Sequence, residues 1–218
     1  MAQKRKRISR IQKYHGPDEE AAIAEYARLL GEASWAWAQL HQKYGFIFES
    51  IVGDEDRTLI GHVIWTSVSS ERTQRDILLN VLKWGYEPRV TMKRQIVWSL
   101  GIANKLSLYR NDMIHSPTSF LHDEDGLRTM PSHFGTPINR LIRLSDTNTN
   151  QLLACLRDDL IDLSEYTVTV WRIGHGTQSG PSPRKPEQRT FRLFHNESVK
   201  KPHRKSNAPK TRRGSLRA

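Results

Sequence analysis

Arg110, Asn111 and His115 carry side chains suited to work on a phosphate group. Arginine presents a planar fork of donors that matches phosphate and stays charged. Histidine, with a pKa near ~6.5, can take or give a proton at neutral pH. On a helix Arg110 and His115 stand roughly 140° apart around the axis, whereas Asn111 and His115 share a face. The same Arg-x4-His spacing recurs at Arg10/His15, Arg57/His62 and Arg128/His133, so spacing alone selects nothing. Context separates Arg110: Asn111 follows it, Ile114 supplies an apolar residue before the histidine, and the segment closes a long amphipathic stretch. The alternative reading is that Arg110 and His115 simply favour the negative end of a helix dipole.

Other chemistries find little support. The chain has no Gly-rich phosphate loop, no His-Glu-x-x-His and no Gly-x-Ser-x-Gly. His122, Asp123, Glu124, Asp125 and His133 are metal-binding residue types, but their spacing fits no metal site, and no metal or other cofactor is expected. Asp158 and Asp159 read as a solvated helix face. The single cysteine, Cys155, cannot form an internal disulfide or a Cys-based zinc cage, and beside Leu152, Leu153 and Leu156 it reads as a small buried hydrophobe. No apolar run approaches the ~20 residues of a membrane span. Met1 to Tyr14 lacks the apolar stretch of a secretory signal. These features predict a cytoplasmic protein without a membrane partner.

The elements that must position the candidate residues are helical. Gly16-Pro17-Asp18-Glu19-Glu20 signals a helix start. Ile23, Ala27, Leu30, Trp37 and His41 recur at helical spacing, predicting a helix from about Pro17 to Lys43 that stops near Gly45. A second helix starts near Asp56 and uses Leu59, Ile60, Val63 and Ile64. Ser69-Ser70 caps a third through Ile77, Leu78, Val81 and Leu82, stopped by Gly85. A long helix from about Val90 carries Arg110 and is bounded by Pro117. Residues 117–135 read as a long loop. A short helical piece opens at Thr136-Pro137, and Leu152, Leu153, Leu156, Leu160 and Leu163 mark a final helix, capped near Thr149-Asn150. Tyr166 to Ile173 alternates β-branched residues in the manner of a strand, yet is taken as the end of that helix. The expected fold is all-α, an antiparallel bundle of four to five helices with disordered basic termini.

Charge sharpens the division. Residues 1–13 carry +6, residues 14–174 carry −5 and residues 175–218 carry +10. A mildly acidic body from 16 to 174 is thus flanked by a basic leader, 1–15, and a basic tail, 175–218. Lys4, Arg5, Lys6, Arg7, Lys200, Lys201, Arg204, Lys205, Arg212 and Arg213 are the expected nonspecific nucleic-acid contacts, through counterion release. The tail has a disordered composition, with Phe191, Leu193 and Phe194 as an apolar exception.

The segment Arg110-Asn111-Asp112-Met113-Ile114-His115-Ser116 resembles the motif of the HEPN superfamily, the higher-eukaryote-and-prokaryote nucleotide-binding domains. The resemblance covers this motif and, loosely, the helix order of residues 17–173. It implies a four- or five-helix bundle, usually dimeric, and in many members a metal-independent endoribonuclease. By that resemblance Arg110, Asn111 and His115 from two subunits form one composite site of a nuclease, a toxin or defence effector with RNA as substrate and a neutralising protein as a possible partner. Two other readings stand beside it. One is a catalytically silent HEPN-like dimer that binds RNA, nucleotide or a protein. The other is a helical scaffold whose basic ends bind nucleic acid, acidic protein or ribosome.

Overall fold

The first helix, α1, runs Pro17–Val52, about 54 Å at 1.5 Å per residue. Asp18, Glu19 and Glu20 in its first turn face the positive end of its dipole. It does not stop near Gly45. A Cβ at Gly45 would lie 2.7 Å from Trp65 Nε1, so this glycine is a notch that admits a neighbouring indole rather than a terminator. Trp65 belongs to α2, Thr58–Ser67, where Gly61 gives the same close approach: a Cβ there would come within 2.9 Å of Glu49 Cα. Leu59, Ile60, Val63 and Ile64, the apolar set that signalled this helix, face outward.

A computed structural model of the chain describes residues 17–53, 58–85, 90–116, 118–123, 126–132, 135–144 and 148–198. Helix α3, Glu71–Asn80, begins as expected at Ser70, whose hydroxyl accepts from Thr73 N–H at 3.3 Å. It continues as a π-helical turn over Val81–Gly85. Helix α4, Val90–Ile114, is the central element. The expected loop after it is instead an antiparallel hairpin, β1 (Thr118–Asp123) with β2 (Gly126–Pro131), in register from Thr118 opposite Pro131 to Asp123 opposite Gly126. The Asp125-Gly126 dipeptide is a turn signal that weak apolar alternation in the flanks obscured. Helix α5, Ile138–Leu144, follows, then α6, Thr149–Gly174, capped by Asn148, and α7, Arg189–Ser198. Residues 166–173 are helical. The protein is all-α apart from this hairpin among the described residues.

Three long helices form the core. Tyr26 hydroxyl meets Met113 carbonyl and Tyr44 hydroxyl meets Ser99 Oγ, so α4 runs antiparallel to α1. The pairings of Ser99 with Thr167 and of Met92 with Gly174 make α4 antiparallel to α6 as well. Tyr44, Ser99 and Thr167 form one hydroxyl chain at 2.7 and 2.6 Å through the apolar centre, ending on Leu163 carbonyl. Around it pack Trp37, Leu40, Ile47, Phe48, Ile96, Leu100, Leu106, Leu156 and Leu160, all buried.

The chain after 175 departs from expectation. Asp159 is buried, not solvated, and its two carboxylate oxygens accept the backbone N–H groups of Arg189 and Thr190 at 2.9 and 2.8 Å. It caps α7 from the neighbouring helix α6, satisfying donors that the start of a helix leaves open. Phe191 of α7 packs on Tyr109 with ring centroids 5.8 Å apart. The apolar exception noted in the tail is thus a docked helix. The basic leader residues Lys4 to Arg7, and Lys200, Lys201, Arg204, Lys205, Arg212 and Arg213, lie outside the described residues, as do the side chains of His122, Asp123 and His133.

Candidate functional site

The last turn of α4 carries two different polar environments. Asp112, 3 % exposed, accepts from Arg140 Nε at 3.0 Å and from Arg143 Nε and Nη2, both at 2.8 Å. Both arginines come from α5. Arg140 Nη1 also donates to the carbonyl of His115 at 2.9 Å. One guanidinium therefore joins the buried acid to the open end of α4, where carbonyls have no partner within the helix. The carboxylate of Asp112 raises the Arg143 pKa above its ordinary value. Asp112, two residues after Arg110, is accordingly a clamp that holds the end of the helix.

Asn111 and His115 are exposed. They share a face of α4 with Leu108, which is also exposed, and Ile138 and Ile142 of α5 are exposed nearby in sequence to the clamp. Arg110 turns the other way, toward α1 and α3. Its Nη1 donates to Asn111 Oδ1 at 3.1 Å and lies 3.8 Å from Glu71 Oε2, while its Cζ stands 5.7 Å from the Trp37 ring. Its Nε is buried with no hydrogen-bond partner. The fold thus joins Arg110 to Asn111 but turns the guanidinium away from His115, which lies with Asn111 on the outer face, in keeping with the angular separation of residues five apart on one helix.

Arg110 borders a cluster that sequence reading missed. Arg75 of α3, 3 % exposed, donates from Nη1 to His41 Nε2 and from Nε to Asn104 Oδ1, both at 2.7 Å. Its Cζ lies 5.1 Å from the same Trp37 ring. Trp37 Nε1 donates to Glu71 Oε2 at 2.7 Å. Burial, and then the neighbouring Arg75 charge, push His41 down to about 4, so its imidazole is neutral at pH 7. Burial likewise lowers the Arg75 pKa. One signal was available: Arg75, Leu78 and Leu82 are spaced i, i+3, i+7, which places the arginine on the apolar face of α3. Trp37 and His41 were read as part of the α1 core stripe, which they are, but the stripe also carries polar work.

Among the described residues no group of three His, Cys, Asp or Glu side chains is arranged to hold a metal ion. Nor is any helix of the described residues long and apolar enough to cross a membrane. No family model matches this sequence, and neither a curated protein nor a solved structure matches it.

Proposed function

We propose that this chain is a metal-independent endoribonuclease of the HEPN type, working in the cytoplasm as a homodimer. The observation that carries the reading is the end of α4: Asp112, Arg140 and Arg143 immobilise it from within, while Asn111 and His115 remain exposed. A rigid helix end that presents an unburied imidazole and amide supplies half of a preorganised phosphate-cleaving site. Leu108, Ile138 and Ile142 offer apolar surface flanking it for a second copy to cover. A twofold partner would bring its own Arg110 and Asn111 opposite each His115, supplying the charge that one helix directs elsewhere.

In this scheme His115 takes the 2′-hydroxyl proton, and the oxygen attacks the adjacent phosphorus. The P–O5′ bond breaks, the leaving oxygen receives a proton from water, and Arg110 balances the charge that builds on the phosphorane. Asn111 orients the histidine or the phosphate. The basic ends add sequence-independent RNA affinity.

The test is cleavage of single-stranded RNA by the full chain in EDTA. Fragments ending in a 2′,3′-cyclic phosphate and a 5′-hydroxyl are expected. His115→Ala and Arg110→Lys should each lower the rate by ~10³-fold or more without unfolding, since a point charge does not replace the bidentate fork. Co-folded His115→Ala and Arg110→Ala chains should regain part of the activity, because one of the two composite sites is then intact. Cleavage retained by His115→Ala, or a strict monomer in solution, would overturn the proposal.

A further inference from the structure

The cluster under Trp37 is short of negative charge. Arg75 is buried, yet no carboxylate of the described residues stands within ion-pair distance of it; its two hydrogen-bond partners are a neutral imidazole and an amide. Among the described residues Glu71 is the carboxylate that contacts the cluster, with Asp76 acting on Arg75 from farther off. Glu71 Oε2 is already engaged by Trp37 Nε1 and reaches Arg110 only at 3.8 Å, beyond hydrogen-bond length. Two guanidiniums therefore face one carboxylate. Burying a cation without a counter-charge is costly, and native proteins pair such groups.

The hydrogen-bond inventory gives the same answer independently. A guanidinium has only donors, so the bond from Arg75 Nη1 makes His41 Nε2 the acceptor. With the imidazole neutral, its proton must sit on Nδ1, and that buried atom makes no hydrogen bond of normal length, although the Gln74 side chain stands close enough to act on the ring. Arg110 Nε–H is a second buried donor without an acceptor. Unsatisfied buried donors are rare, and two of them beside excess positive charge call for an acceptor-rich anion. The rim of the cluster meets solvent: the Arg110 and Glu71 side chains there are 25 % and 42 % exposed. Glu71 opens α3, so the positive end of that helix dipole adds to the field there.

We propose that His41, Arg75 and Arg110 form an oxyanion subsite at the junction of α1, α3 and α4, which takes a phosphate group carried by RNA or by a free nucleotide. The incoming oxygens accept from His41 Nδ1, Arg110 Nε and the guanidinium of Arg75, while Trp37 supplies the wall against which both arginines lie. Glu71 is the internal competitor that phosphate displaces. The subsite deepens the ribonuclease reading by fixing a phosphate on the Arg110 side of α4. His115, on the outer face, is not part of it.

The experiment measures binding to the full-length chain of three probes: inorganic phosphate, adenosine 5′-monophosphate, and a 2′-O-methyl RNA decamer that cannot be cleaved. Glu71→Gln should tighten binding several-fold, because it removes the competing carboxylate. Arg75→Met and Arg110→Gln should each weaken it by ~10-fold, the loss of one charge-assisted hydrogen bond. Arg110→Gln and Glu71→Gln alter rim residues, so the test survives even if Arg75→Met fails to fold. The basic ends contribute equally to wild type and variants, which leaves the ratios informative. Response of the decamer alone identifies a phosphate within an RNA chain; equal response of the mononucleotide identifies a free nucleotide. Unchanged affinity of every probe in Glu71→Gln, or weaker binding there, overturns the subsite. The outcome is separable from the nuclease reading: His115→Ala should abolish cleavage and leave these affinities unaltered, and a response to Glu71→Gln in a chain that cleaves nothing would support the subsite while removing the activity.

Discussion

The two polar clusters beside the end of α4 solve opposite problems. In one, a buried acid, Asp112, is met by two arginines that remain partly in water. The acid is compensated, every close contact is a charge-assisted hydrogen bond, and the result is a stiff helix end. In the other, a buried cation, Arg75, is met by a histidine and an asparagine, while the nearest acid serves Trp37. Donors are left over, and the imidazole is held neutral. Burial by itself does not distinguish a structural cluster from one poised to bind. What distinguishes them is whether charge and hydrogen-bond demand balance within the chain.

The comparison breaks most sharply at Asp112. Asp112→Ala strands Arg140 and Arg143 and releases the His115 carbonyl, and should lower stability by about 3 kcal/mol. For a domain of this size the thermal midpoint should fall by about 6–12 °C, read by calorimetry. A loss below ~1 kcal/mol would mean that the clamp is an ordinary surface pair.

An effect of similar size is expected at His41, and it depends on pH. The unfolded imidazole takes its proton near 6.5, whereas the folded one resists until about 4. Acidification therefore favours the unfolded state: the stabilisation is complete above pH 6.5 and is lost as pH falls to about 4, a change of roughly 3 kcal/mol. Denaturant midpoints across that range should show the loss in the wild type and its disappearance in His41→Gln. An identical slope in both proteins would place the titration elsewhere, against Arg75, Arg110, Glu71 and Gln74 around the ring.

The smallest effect concerns the second buried acid. Asp159 satisfies two backbone donors of α7, so Asp159→Ala should cost about 1–2 kcal/mol. The loss should be local, visible as faster amide exchange over residues 190–193 with α1 and α4 unaffected. Uniformly faster exchange would show that α7 is integral to the core.

Local patterns decided a good deal of this protein from sequence alone. Helix starts at Pro17, Ser70 and Thr149, the long helix that bears Arg110, and its end before Pro117 follow from apolar periodicity, capping residues and proline sterics, which act within a few residues. The angular separation of Arg110 from His115 is equally local, a property of 3.6 residues per turn. Tertiary structure decided what sequence neighbours cannot report. Gly45 reads as a stop until Trp65, twenty residues on, fills the space a side chain would need. Asp159 reads as a solvated acid until α7 folds over it. Arg75 and His41 meet 34 residues apart, and their importance lies in a charge balance that exists only once α1, α3 and α4 exclude water around them. Burial and compensation are sums over nonlocal neighbours, so only the folded chain can evaluate them.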